Sequence, residues 1–176
     1  PLLLSGVPLN DLLTAIKQLQ GVPGRMQWFT KSGYASVVVD YAHTPDALEN
    51  ALQALRETCR GQLWCIFGCG GNRDQGKRSL MGRMAQQHAD QIVITNDNPR
   101  NESPENIFND ILLGITKNVK PMVIPERDKA IDHAIQHADE RDIILIAGKG
   151  HEEYQIINDQ RIYFSDAQVV KSIFEQ

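Results

Sequence analysis

The chain is poor in the features that would mark it as secreted, membrane-spanning or nucleic-acid-binding. It has only three cysteines, an odd number, which argues against a disulfide framework. Cys65 and Cys69 lack the spacing of a zinc pair, so the expectation is reduced thiols in a cytoplasmic protein. No apolar run approaches the roughly 20 residues needed to cross a membrane. The opening Pro1-Leu2-Leu3-Leu4-Ser5-Gly6 has no basic segment ahead of it and does not read as a signal peptide. It also lacks an initiator Met, and the chain is expected to be a piece of a longer protein. Net charge is −4, which leaves no basic footprint for nucleic acid. Neither a nucleic-acid nor a membrane partner is expected. Aromatics make up 6% of the residues, and Trp28 and Trp64 are both expected in the core. His133 and His137 lie four apart on a predicted helix. With no carboxylate or third histidine beside them they are expected to be surface histidines, and no metal site is expected.

A length of 176 residues suits one domain with a full core and a short extra segment. Asn10 to Gln20 reads as a short amphipathic helix with Leu12, Leu13, Ile16 and Leu19 on one face, and Asn10 or Asp11 can cap it. Gly21-Val22-Pro23-Gly24 then breaks the chain and is the expected boundary. Residues 1–23 are taken as the tail of something larger and 24–176 as a self-contained domain. Strands are expected at Met26–Thr30, Ser36–Ala42, Leu63–Phe67, Gln91–Thr95, Met122–Ile124 and Asp142–Ala147. Helices are expected at Pro45–Cys59, Lys77–His88, Pro104–Ile115 and Asp128–Ala138, with Thr44 placed to cap the first. Short apolar strands alternating with helices imply an α/β fold, a Rossmann-like, mostly parallel sheet with helices on both faces. The end differs. Tyr154–Ile157 and Arg161–Phe164 read as an antiparallel hairpin around Asn158-Asp159-Gln160, and a helix at Asp166–Phe174 closes the chain.

Ligands of such sheets bind outside the carboxyl ends of the strands, and four strand ends here carry chemistry. Asp40-Tyr41-Ala42-His43-Thr44-Pro45 places an acid able to accept from a ribose hydroxyl beside a histidine able to stack on a base. A helix-start histidine with local bonds fits His43 equally well. Gly68-Cys69-Gly70-Gly71-Asn72-Arg73-Asp74-Gln75-Gly76-Lys77-Arg78 nearly matches a P-loop, but Arg78 stands where the magnesium-binding hydroxyl belongs. Arg73, Lys77 and Arg78, near free amides and a helix start, are still expected to attract an anion. Asp97-Asn98-Pro99-Arg100 presents an amide, a rigid proline and a guanidinium. Gly148-Lys149-Gly150-His151-Glu152 pairs opposite charges between glycines. Arg73 and Arg100 can fork a carboxylate and Glu152 can hold an ammonium, a mixed-charge pocket suited to an amino acid. Arg25, just after the break, is either a linker charge or a nucleotide contact. A P-loop NTPase or kinase and a non-catalytic amino-acid-binding domain stand as alternatives.

Taken together, Val39–Leu48, Phe67–Arg78, Asp97–Arg100 and Gly148–Glu152 resemble the C-terminal domain of the Mur ligases, and within them the branch that adds the third residue of the peptidoglycan stem peptide. The resemblance spans nearly the whole chain in the right order. It implies ATP-dependent amide formation, in which meso-diaminopimelate attacks an acyl phosphate of UDP-N-acetylmuramoyl-L-alanyl-D-glutamate. It also implies a preceding central domain, holding the P-loop, the Mg sites and a carbamylated lysine, of which residues 1–23 would be the last part. On that basis this piece carries no catalytic residue and is inactive alone. By resemblance Arg73, Asp97, Asn98, Pro99, Arg100, Gly148 and Glu152 bind meso-diaminopimelate, with Arg100 on its far carboxylate and Glu152 on its far ammonium. Arg25, Asp40 and His43 contact ATP, and Mg is held mainly elsewhere. A cytoplasmic monomer is expected.

Overall fold

The computed structural model describes residues 6–18, 21–116 and 120–175. In chain order the elements are α1 (Leu9–Gln18), β1 (Gln27–Phe29), β2 (Ser36–Asp40), α2 (Pro45–Arg56), β3 (Leu63–Phe67), α3 (Gly76–His88), β4 (Gln91–Ile94), α4 (Pro104–Leu112), β5 (Met122–Val123), α5 (Arg127–His137), β6 (Ile143–Ala147), β7 (Tyr154–Ile157), β8 (Gln160–Tyr163) and α6 (Asp166–Phe174). The expected alternation of strands and helices is present, with ends shifted by a few residues. The final two positions of the first expected helix, and Leu19 on its face, lie outside the described residues. Leu9 and Leu13 of α1 are exposed.

Six strands form one sheet in the order β1-β2-β6-β3-β4-β5, and β7 with β8 forms a separate pair. All neighbours in the large sheet run parallel except β1, which pairs antiparallel with β2 along the edge. Inserting β6 between β2 and β3 puts the loops after β2, β3, β4 and β6 at one edge. β3 and β6 are buried at every position, as continuous apolar runs covered on both faces must be. Their side chains alternate between two layers. Cys65 and Leu145 meet Leu48, Leu52, Met81 and Ile111 of α2, α3 and α4. Ile66, Ile144 and Ile146 meet Ile131, Ile135, Val170 and Ile173 of α5 and α6. Each such side chain contributes about 1.5–3 kcal/mol on leaving water. Packing therefore holds helices that would be marginal by themselves. Gly82 lets α3 press on α4, since a Cβ there would strike the Ile111 carbonyl.

Thr44 caps α2 as expected, its Oγ1 accepting from the Ala47 amide at 3.3 Å. Trp64 is in the core, its Nε1 donating to Asp142 at 3.1 Å. Trp28 is not. On the edge strand β1 its ring is turned outward and the residue is 46% exposed. The hairpin turn is Asn158-Asp159 alone, with φ of 46° and 61°, the two left-handed residues of a type I′ turn. The second strand therefore begins one residue earlier than expected.

The burial of Arg127 and Arg78 was not foreseen from the sequence. Arg127 opens α5 with its side chain wholly buried. Its Nε and Nη2 form a fork with both oxygens of Asp166, at 2.7 and 2.9 Å, and Nη2 also donates to the Ala147 carbonyl at 2.9 Å. Arg78 faces inward, which corrects the expectation that it draws an anion. Its Nη1 and Nη2 donate to Glu102 at 2.6 and 2.7 Å, Nη1 to Asp110 at 2.8 Å and Nη2 to the Gly70 carbonyl at 3.3 Å.

Breaking a buried pair strands its partner's charge, at a cost of about 3–5 kcal/mol. Urea unfolding should register a loss of that size for Asp166→Ala, and a smaller one for the double replacement Arg127→Met with Asp166→Leu. Equal losses would show that the pair carries no special penalty. The second prediction concerns acid. The hydrogen bond from Arg78 holds Glu102 well below its usual carboxylate range, at about 2. A carboxylate depressed on folding stabilises the fold above its ordinary value near 4.5, and that stability drains away as pH falls toward 2. Glu102→Gln should flatten the decline of stability between those limits, read by acid titration of the unfolding midpoint; an unchanged slope would count against the pairing.

Candidate functional site

The loops after β2, β3, β4 and β6 enclose a cleft of about 440 Å³, lined by Tyr41, His43, Arg73, Asp97, Asn98, Arg100, Gly148 and Glu152, with Asp74, Lys77 and Tyr154 at its margins. A larger hollow of about 520 Å³ lies behind the hairpin beside Gln155, Phe164 and Gln168, but it offers no comparable gathering of unpaired charge. Most residues singled out from the sequence therefore meet in one place. Pro99, Arg25 and Asp40 stand outside the lining.

Glycines let the β3 and β4 loops touch. A Cβ on Gly68 would strike the Thr95 carbonyl, and one on Gly71 the Pro99 carbonyl. The Gly71 amide donates to the Asn98 carbonyl at 2.9 Å, and that of Asn72 to Glu102 at 2.8 Å. These two amides are spent on the protein, so neither is available to an anion. Arg73 protrudes with no partner among the described residues. Lys77 donates to the His43 carbonyl at 2.8 Å.

The hairpin clamps the Asp97–Arg100 segment from the other side. Arg100 has a left-handed φ of 54°, a conformation that persists only where its surroundings enforce it. They do so here through Arg100 N to the Ile156 carbonyl at 2.9 Å and Asn158 N to the Arg100 carbonyl at 3.0 Å. Gln155 Nε2 donates to the Asp97 carbonyl at 2.9 Å, and Ile156 N to Asn98 Oδ1 at 3.0 Å. Arg100 Nη1 donates to the carbonyls of Gly71 and Asn98, at 3.0 and 3.3 Å. Its Nε and Nη2 have no protein partner among the described residues, so one edge of the fork is available for a carboxylate.

At the opposite end Lys149 is fully buried. Its Nζ lies 3.3 Å from Asp97, 3.2 Å from Asn98 and 3.4 Å from Glu152. Asn98 Nδ2 donates to Glu152 Oε2 at 3.2 Å. This end has one cation for two carboxylates, whereas Arg73 and Arg100 make the other end positive. The cleft is thus polarised along its length.

Arg25, His43 and His151 surround Tyr41 at the rim. The Arg25 guanidinium is 5.3 Å from the ring, and the histidine rings are 4.7 and 5.4 Å away. The sequence pointed to Arg25 and His43 but not to Tyr41, which only the fold places between them. Asp40 accepts from the amides of Met26 and Ala42, at 2.7 and 2.8 Å, so it shapes the loop that carries the rim. Gly24, at φ 68°, lies against Gly150, and a Cβ on it would strike the Gly150 backbone. Among the described residues no group of His, Cys, Asp or Glu could hold a metal ion, and no helix is long and apolar enough to cross a membrane.

Comparison with known proteins shows the family. Residues 24–150 match the family described as Mur ligase, glutamate ligase domain. The UDP-N-acetylmuramoyl-L-alanyl-D-glutamate–2,6-diaminopimelate ligase of Haemophilus influenzae is 54% identical over 168 residues, covering 96% of this chain and 34% of that protein. A solved structure of a ligase of the same name superposes with a TM-score of 0.84 at 44% identity, over 97% of this chain and 35% of that one. The bifunctional folylpolyglutamate synthase/dihydrofolate synthase of Yersinia pestis shares the fold, with a TM-score of 0.60 at 19% identity over 81% of this chain and 32% of that one. The chain spans about a third of the length of the curated relatives it matches. The family match begins at the glycine that enters the domain and ends in the loop that carries Lys149, and the chain belongs to the Mur ligase family, in its glutamate ligase domain.

Proposed function

We propose that this chain is the C-terminal part of an ATP-dependent ligase that adds meso-diaminopimelate to UDP-N-acetylmuramoyl-L-alanyl-D-glutamate in peptidoglycan synthesis. The observation that carries the reading is the polarised cleft, with unpaired guanidinium edges at one end and a carboxylate-rich cluster at the other. Its volume of about 440 Å³ falls in the range of small-molecule sites. A plain anion would have no use for the negative end. A diamino diacid uses both: a carboxylate against Arg73 and Arg100, an ammonium against Glu152 Oε1, and the Asn98 amide between them. Gly148 and Asp97 border the same space, and Pro99 stiffens the segment that presents Arg100.

On this reading the domain's work is to bind and orient the attacking amine and to exclude water when the longer protein closes over it. Residues 1–23 are the tail and hinge of a preceding ATPase domain, and 24–176 form the amino-acid-binding domain. The rim of Arg25, Tyr41 and His43 suits a nucleotide, with a cation and aromatic faces for its base and phosphates. Asp40 retains lone pairs for a ribose hydroxyl. The residues described here do not suit Mg, and the metal and phosphoryl chemistry are assigned to the rest of the protein. The enzyme is taken to be a cytoplasmic monomer.

Removing Arg100 leaves the far carboxylate unpaired, at a cost of about 2–5 kcal/mol. In the full-length protein Arg100→Ala is therefore expected to lower kcat/KM for meso-diaminopimelate about 30-fold or more, with the KM for the UDP substrate held within about twofold. Wild-type kinetics would show that the site is misassigned. The isolated chain should give no tight calorimetric signal with ATP and magnesium, because Arg78 fills the place of the P-loop hydroxyl and is itself locked in ion pairs. Submicromolar binding would favour a P-loop NTPase instead.

A further inference from the structure

Among the described residues, Lys149 is a cation behind the cleft wall that a ligand cannot reach. It is fully buried between Gly148 and Gly150, both at positive φ, 114° and 53°. An ammonium has three donors and no acceptor, and here three acceptors surround it: Asp97 Oδ1, Asn98 Oδ1 and Glu152 Oε2. The Tyr154 ring lies 5.6 Å away on another side.

The consequence falls on Asn98. Its Oδ1 faces two unambiguous donors, Lys149 Nζ at 3.2 Å and the Ile156 amide at 3.0 Å. The oxygen must point inward and the Nδ2 outward, where it meets Glu152 Oε2 at 3.2 Å. Glu152 Oε2 is then taken by both Asn98 and Lys149, which leaves Oε1 as the oxygen for a ligand. Asp97 and Glu152 sit close together only because a cation lies between them.

We propose that Lys149 is a positioning residue for the amino-acid subsite, setting which way the Asn98 amide points and which oxygen of Glu152 is offered to the ammonium. The inference rests on the reading that the cleft holds an amino acid. It predicts a specific kinetic signature, because orientation of the subsite is lost while the nucleotide rim and Arg100 are untouched.

The test uses the full-length protein with Lys149→Met, with Arg100→Ala assayed alongside. For Lys149→Met the KM for meso-diaminopimelate should rise at least tenfold. At saturating amino acid kcat should stay within about threefold, and the KM for ATP within about twofold. Lys149→Gln keeps an N–H donor for Asn98 and should fall between wild type and Lys149→Met; if Lys149→Met does not fold, a threefold or larger KM rise in Lys149→Gln decides in favour. A fall in melting temperature with an unchanged amino-acid KM in both variants would reduce Lys149 to a structural residue and overturn the proposal. So would equal rises in the KM for ATP and for the amino acid. If Arg100→Ala raises the amino-acid KM and the Lys149 variants do not, the proposal about Lys149 fails alone. If none of them does, the amino-acid reading fails with it.

Discussion

A cation taken out of water must bring its counter-charge with it, and among the described residues this domain does so three times. Arg78, Arg127 and Lys149 are all fully or almost fully buried. Each is matched by carboxylates, Arg78 by Glu102 and Asp110, Arg127 by Asp166, and Lys149 by the distant Asp97 and by Glu152 of its own loop. Apart from the local Lys149–Glu152 contact, these pairs form only when their elements are in place. Arg78 draws the glycine loop onto α4. Arg127 ties α6 to the end of β6. Lys149 joins the ends of β4 and β6. The partly buried Arg100 is held on this scaffold through its Nη1, so its free edge can wait for a ligand while the inner cations keep the scaffold.

Topology explains why these groups converge. The chain lays down β2, moves over to β3, walks outward to β5, and returns to place β6 in the gap. Loops far apart in sequence then become neighbours, and their carboxyl-end position is where parallel sheets bind ligands. The hairpin adds a second clamp that the large sheet does not supply. Its backbone fastens to Arg100 and Asn98, and a guanidinium from β8 lies 3.6 Å over the Tyr154 ring. The Asp97–Arg100 segment is thereby held from both sides.

Much of this was legible in the sequence, for physical reasons. Fully buried strands must be continuous apolar runs, and Leu63–Phe67 and Ile143–Ala147 announce themselves that way. Thr44-Pro45 starts a helix by local chemistry alone. Loop glycines beside charges marked the cleft. What stayed hidden depends on partners distant along the chain. Nothing near Arg78 tells that Glu102 and Asp110 will enclose it, and a cation beside a glycine loop reads naturally as an anion ligand. Arg127 had no signal beyond its place at a helix start. Trp28 was misplaced because hydrophobicity alone does not reveal which face of an edge strand meets water. The mutual arrangement of Tyr41, Arg25 and His151 joins three segments and follows only from the fold.

The contact between Gly24 and Gly150 bears on how such a domain can change over time. One glycine sits where the chain enters, the other in the loop that carries Lys149, and each occupies the space that a methyl group on the other would need. Because each clash is with backbone, neither position accepts a larger residue unless the chain itself shifts. A larger residue at Gly24 would push on the loop of Lys149, and one at Gly150 would push on the entrance. The two sites are thus constrained as a single unit of inheritance, joining the start of the family match to the loop that carries Lys149.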